Sequence, residues 1–148
     1  MEDLREVEIL LVEDNPSDLE LSLRALSKYN LVNKIHVARD GEEALEYIFA
    51  NSAYDKRDMS KKLSMILLDL KLPKVDGLEV LRRVKNDERT KMIPVIMLTA
   101  STEEQDIIKS YELDVNSYIV KPIDFDKFIG AVSEIGLYWK LLNKLPHS

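Results

Sequence analysis

The chain has 148 residues, 45% of them hydrophobic, no cysteine and a formal net charge of −6. That length and apolar share suit one domain with a proper core, and the lack of cysteine excludes disulfides, thiol catalysis and cysteine-ligated metal. No apolar run approaches a membrane span of about 20 residues, Met1-Glu2-Asp3-Leu4-Arg5-Glu6 is too acidic for a signal peptide, and the charge has the wrong sign for general nucleic-acid binding. A cytoplasmic protein with neither a membrane nor a nucleic-acid partner is expected.

Five short apolar runs alternate with amphipathic stretches of helix length. Val7-Glu8-Ile9-Leu10-Leu11-Val12 is the first run. Asn15 then caps a helix with Pro16 in its first turn and Asp18 near its positive end. Leu19, Leu23 and Leu26 share a face of that helix. Lys34-Ile35-His36-Val37-Ala38 is the second run, and the polar stretch from Asn51 to Lys62 reads as a long loop after the second helix. Met65-Ile66-Leu67-Leu68 and Val95-Ile96-Met97-Leu98 follow, and Ser101-Thr102-Glu103-Glu104 has the form of a capping box opening the fourth helix. Ser117-Tyr118-Ile119-Val120 is the last run. Phe125, Phe128, Ile129, Val132, Ile135, Trp139 and Leu142 then recur at helical spacing. Nearly continuous runs of Ile, Leu and Val are how strands of a parallel sheet read when both faces are covered. The pattern is five βα units, an α/β fold with a doubly wound parallel sheet and helices on both faces.

Polar residues stand where the apolar runs end. Glu13 and Asp14 follow the first run, Asp69 closes the third, Thr99 closes the fourth and Lys121 follows the fifth. Open α/β sheets bind ligands at the carboxyl ends of their strands, near the switch in strand order. In the order 2-1-3-4-5 the first and third strands are neighbours at that switch, and Glu13, Asp14 and Asp69 converge. Close carboxylates repel one another and call for a cation, and oxygen ligands that retain waters suit Mg²⁺. A carboxylate can also attack phosphorus and form an aspartyl phosphate. That transfer needs charge neutralisation and in-line positioning, which Mg²⁺, an ammonium and a hydroxyl supply. Taken singly, each residue has a plainer explanation: an Asp as a turn or cap, Thr99 as the start of a loop, Lys121-Pro122 as a solvated turn. Five of them at the ends of four strands point to a site.

These residues carry a resemblance to the receiver domains of two-component signalling. It rests on Val12-Glu13-Asp14-Asn15, Leu68-Asp69-Leu70-Lys71-Leu72-Pro73, Asp76-Gly77, Thr99-Ala100 and Lys121-Pro122. The separations of Asp69 from Thr99 and of Thr99 from Lys121 also match that family, and the resemblance runs from Glu8 to about Val132. It implies a flavodoxin-like receiver fold with strand order 2-1-3-4-5. The whole chain would be one receiver domain, with a core over about 7–132 and an extended C-terminal helix to about 145. It implies Asp69 as phosphoacceptor, Asp14 as a direct Mg²⁺ ligand, Glu13 acting mostly through water, and the backbone carbonyl of Lys71 as a further ligand. Thr99 and Lys121 would bind phosphoryl oxygens, Thr99 and Tyr118 would switch together, and the Lys121–Pro122 bond would be cis. Lys71 and Ser101, two residues after the acceptor and two after the threonine, would border the attacking water. Self-phosphorylation from phosphodonors and slow self-dephosphorylation are the only reactions expected, so the chain is not read as an enzyme.

A narrower resemblance is to the single-domain regulators that partner bacterial phytochrome histidine kinases. It rests on the long loop between Tyr47 and Leu63, the stretch Ser110-Tyr111-Glu112-Leu113-Asp114-Val115-Asn116-Ser117-Tyr118 and the aromatic Tyr138-Trp139. It implies a histidine kinase partner and a homodimer. Tyr138, Trp139, Leu141, Leu142 and Leu145 would supply apolar area for that dimer. His36 reads as a packing or edge residue, His147 as a tail residue, and Lys61-Lys62 as part of a solvated loop. Three other readings compete. A haloacid-dehalogenase-like phosphohydrolase would need a second Asp where Lys71 stands. An FMN-binding flavodoxin would not place Glu13-Asp14 against a phosphate. A degenerate receiver serving only as an interaction module would not keep the acidic pocket, Thr99 and Lys121 together.

Overall fold

The computed structural model describes residues 7–27, 31, 34–51, 54–55, 57 and 63–136. In chain order the elements are β1 (Ile9–Val12), α1 (Pro16–Leu26), β2 (Ile35–Ala38), α2 (Gly41–Ile48), β3 (Met65–Asp69), α3 (Gly77–Lys85), β4 (Val95–Thr99), α4 (Thr102–Ser110), β5 (Ser117–Val120) and α5 (Phe125–Glu134). The strands form one sheet in the order β2-β1-β3-β4-β5, every neighbouring pair parallel. The doubly wound five-stranded fold expected from the sequence is the one observed. Among the described residues no helix is long and apolar enough to cross a membrane.

Alternation along the strands divides the core in two. Leu10, Val12, Ile66, Leu68, Val95 and Met97 pack with α2, α3 and α4, through residues such as Ile48, Leu81 and Ile108. Ile9, Leu11, Met65, Leu67, Ile96 and Leu98 pack on the other face with Leu26 of α1 and Phe128 and Val132 of α5. Every residue of β1, β3 and β4 is buried, which is why those runs are apolar without a break.

The helices begin as their sequences require. Asn15, Asp40, Asp76, Ser101 and Asp124 are N-caps, and each side chain accepts the backbone N–H three residues on. Gly77 has a packing reason. A Cβ there would lie 2.2 Å from the carbonyl oxygen of Asp69 and 2.7 Å from that of Leu70. Only glycine lets α3 start so close to the end of β3, and the Gly77 N–H donates to the Leu70 carbonyl at 2.8 Å.

One boundary differs from the sequence reading. The apolar stripe suggests a last helix running to about 145, yet α5 ends at Glu134. Gly136 follows with φ +79° and its N–H donates to the Ser133 carbonyl. A glycine in the left-handed region stops a helix in this way. Trp139, Leu142 and the other apolar residues of the tail lie outside the described residues, as do Lys61, Lys62 and His147. His36 is a packing residue of the edge strand β2, its ring stacked on Tyr47 with centroids 4.0 Å apart.

Candidate functional site

Strand register brings the site together. Val12 pairs with Leu68, so Glu13 and Asp69 follow at adjacent strand ends. Asp69 pairs with Leu98 and Thr99 with Val120, which sets Thr99 and Lys121 at the next two strand ends. The Lys121 N–H donates to the Thr99 carbonyl at 2.7 Å, and the Lys121–Pro122 peptide bond is cis.

Lys121 is the electrostatic centre. Its Nζ donates to Asp69 Oδ2 at 3.1 Å, Asp18 Oδ2 at 3.1 Å and Glu13 Oε1 at 3.3 Å. Burial alone would depress its pKa, but the charges of Asp69 and Glu13 and its hydrogen bonds outweigh that and hold it above the usual lysine range. Glu13 is fully buried. Burial first, and then the hydrogen bond and charge of Asp69, push its carboxyl up to about 7, against the opposing pull of Lys121. Glu13 Oε2 also accepts the N–H of Asn15 at 3.2 Å.

Glu13, Asp14 and Asp69 each offer a carboxylate oxygen, all within 4.8 Å of one another. An all-oxygen set this tight, whose close carboxylates repel one another, has the chemistry of a site for a hard divalent cation. Asp14, Asp18, Asp69, Lys71, Glu104 and Lys121 border an open cavity of about 280 Å³. Thr99 is buried, and its Oγ1 has no hydrogen-bond partner among the described residues. Thr99 itself is not in the lining but directly precedes Ala100, which is, and a buried hydroxyl left unpaired there can donate to an acceptor.

The sequence-derived residues do not all converge. Tyr118 lies on β5, half-buried against the α2–α4 face of the core, with Lys109 Nζ 5.4 Å from its ring centre. It stands away from the cavity lining. The Lys71 side chain points outward and is 82% exposed, its Nζ 3.4 Å from Glu104 Oε2. The sequence marks Asp18 and Glu104 only as helix-start residues, yet both line the cavity. The signal for Asp18 was its spacing, one helical turn after Asp14.

The family model for the response regulator receiver domain matches residues 9–133. This chain is a response regulator receiver domain. It is 42% identical over 138 residues to the probable methanogenesis regulatory protein FilR2 of Methanothrix harundinacea, covering 93% of this chain and 86% of that protein. It is 38% identical over 138 residues to response regulator Rcp1 of Synechocystis sp., covering 93% of this chain and 92% of that protein. Among solved structures, the bacteriophytochrome response regulator AtBRR is 54% identical with a TM-score of 0.85, over 93% of this chain and 97% of that one. The receiver is thus homologous to phytochrome response regulators that consist of one such domain. Two further neighbours bear on chemistry: an Mn²⁺-bound form of Rcp1 and a phosphorylated form of the cyanobacterial phytochrome regulator RcpA. They are 35% and 37% identical, each with a TM-score of 0.71 over 95% of this chain and 99% of the other.

Proposed function

We propose that this receiver accepts a phosphoryl group onto Asp69 from the phosphohistidine of a histidine kinase, and that the aspartyl phosphate alters its contacts with other proteins. The observation that carries this reading is the Lys121 ammonium bonded to Asp69, one of three clustered carboxylates, with the unpaired Thr99 hydroxyl at the neighbouring strand end. The phosphorylated RcpA neighbour supports it.

An Asp69 oxygen attacks phosphorus in line; the new P–O bond forms as the donor's P–N bond breaks, and that electron pair stays on the imidazole. Lys121 is already within hydrogen-bond reach of Asp69, so it neutralises charge on the acceptor and on the arriving oxygens. Thr99 donates its hydroxyl to a phosphoryl oxygen and so gains the partner it lacks. Asp14, Asp69 and the Lys71 backbone carbonyl would hold Mg²⁺, with Glu13 acting mostly through water. When bound, the metal neutralises the carboxylates and the transferring group. The Mn²⁺-bound form of Rcp1 supports a divalent cation as the partner of such a receiver. As Thr99 moves toward the phosphoryl, Tyr118 fills the space it leaves, a two-state shift biased by the new group.

The resemblance to AtBRR, a bacteriophytochrome response regulator, supports a phytochrome-type kinase as donor, and the match over 97% of AtBRR and 92% of Rcp1 supports one receiver domain along the chain. Intact-mass measurement after incubation with acetyl phosphate and Mg²⁺ tests the acceptor. The wild type gains one phosphate and Asp69→Asn gains none, because an amide is a poor nucleophile and a poor metal ligand. A phosphate on the variant at wild-type level would refute the assignment.

A further inference from the structure

The fourth helix opens with a carboxylate that reaches back beyond the N-cap, as α2 does where Glu43 Oε1 accepts the Arg39 N–H at 2.8 Å; only at α4 does the bonded N–H border the acceptor cavity. In a capping box the carboxylate of the third helical residue returns to the N–H of the N-cap. Ser101 is the N-cap and accepts the Glu104 N–H at 3.3 Å. Glu104 Oε1, however, reaches past Ser101 and accepts the N–H of Ala100 at 2.7 Å. Ala100 directly follows Thr99 and borders the same cavity as Asp69 and Lys121. An internal carboxylate therefore holds a backbone donor at the acceptor site, while the hydroxyl one residue earlier has no partner among the described residues.

The other oxygen of Glu104 lies 3.4 Å from Lys71 Nζ. The Glu104 side chain is 13% exposed and Lys71 is 82% exposed, so the carboxylate is the fixed member and the ammonium the mobile one. Both residues also line an adjoining groove of about 590 Å³ with Leu70, Leu72 and Ile107. The pair lines both the acceptor cavity and the groove, so Glu104 can leave Ala100 without leaving Lys71.

From this we infer that Glu104 is a positioning residue that sets how tightly Asp69 holds a phosphoryl group. The inference rests on the acceptor reading above. A phosphoryl group brings negative charge into a cavity already rich in carboxylates and needs donors on its far side. Glu104 opposes it twice, by its charge and by occupying the Ala100 N–H. Loading releases Glu104 from Ala100 while it keeps its ion pair with Lys71, and the freed N–H joins Thr99 and Lys121 around the phosphoryl. Lys71 is the counter-ion that holds the carboxylate once it has left Ala100.

Calorimetric titration of beryllofluoride, a phosphoryl mimic, into Mg²⁺-saturated protein tests this. Glu104→Gln keeps the shape and an acceptor for Ala100 but removes the charge, and it should bind at least about threefold tighter than wild type. Glu104→Ala should also bind tighter, although it loosens the helix start. In wild type the Ala100 amide resonance should shift on loading as its acceptor changes. Beryllofluoride affinities at or below wild type in both variants, or an unmoved Ala100 resonance, would overturn the inference. A purely structural Glu104 would change thermal stability and leave the affinity of Glu104→Gln unchanged. Wild type that neither binds beryllofluoride nor takes phosphate from acetyl phosphate would refute the acceptor reading itself, which separates the two failures.

Discussion

Thr99 carries the clearest energetic signature of a site at rest. Its hydroxyl is buried with no partner among the described residues, and an unmet buried hydroxyl costs about 1–3 kcal/mol. Thr99→Val keeps the shape and removes the unmet group. It should raise the stability of the unloaded protein by about 1 kcal/mol in urea, and it should lose the extra stability that beryllofluoride and Mg²⁺ give the wild type. A destabilised Thr99→Val that still gains from loading would contradict the role. Lifetime is also decided at this scale. The two side chains expected to border the attacking water are Lys71, which faces Glu104, and Ser101, whose hydroxyl caps α4. Neither carries a carboxamide to orient water, so the acyl phosphate should decay slowly; a half-life of seconds, followed by phosphate release, would refute this. Glu13, Asp14, Asp69, Thr99 and Lys121 were legible in the sequence because each interrupts or ends an apolar run. Asp18 and Glu104 were not, because a sufficient local explanation, helix capping and the helix dipole, hid their second role at the cavity.

At the scale of elements, the edge strand β2 shows how the long loop after α2 is held. The His36 ring lies between Tyr47 and Tyr54, and His36 Nε2 is 3.1 Å from Tyr54 Oη, which donates to Glu43 Oε2. Arg57 sits over the Tyr47 ring and reaches Glu8 at 3.4 Å. Burial lowers the His36 pKa below its usual 6.5, against the pull of Glu43 and Glu8. The unfolded chain therefore binds a proton first as pH falls. The contribution of His36 to stability is intact above its unfolded pKa and is lost as pH drops below it toward the folded value. Urea unfolding near pH 7.5 and near pH 5.5 should show a larger acid loss in wild type than in His36→Phe, which keeps the stack without the titration. Equal losses would contradict the assignment. The strands were legible because full burial on both faces leaves unbroken apolar runs. The clamp was not, since it joins residues from β2, α2 and the loop that share no periodicity. Nor was the end of α5, because the apolar stripe continues past Gly136 and only the backbone at that glycine shows the stop.

At the scale of the whole molecule, the sheet order sets four strand ends side by side and makes one acidic pocket from segments far apart in sequence. The face of α4, β5 and α5 bears the half-buried Tyr118 with Lys109 of α4 over its ring, whereas the exposed Ile107 of α4 lines the groove beside Leu70 and Leu72. We propose a symmetric homodimer through this face, to which the apolar Tyr138 and Trp139 of the sequence would add. Sedimentation at about 100 µM, with and without phosphorylation, should show a dimer that Trp139→Ala weakens; a monomer in every state would remove it, since a useful dimer is at least micromolar. The central claim, that Asp69 becomes an acyl phosphate, is tested most directly by chemical trapping. Borohydride reduces an aspartyl phosphate to homoserine at the modified position. After treatment with acetyl phosphate and Mg²⁺, peptide mass spectrometry should find homoserine at residue 69 only. Homoserine at another aspartate, or none anywhere in protein that has gained a phosphate, would contradict the account.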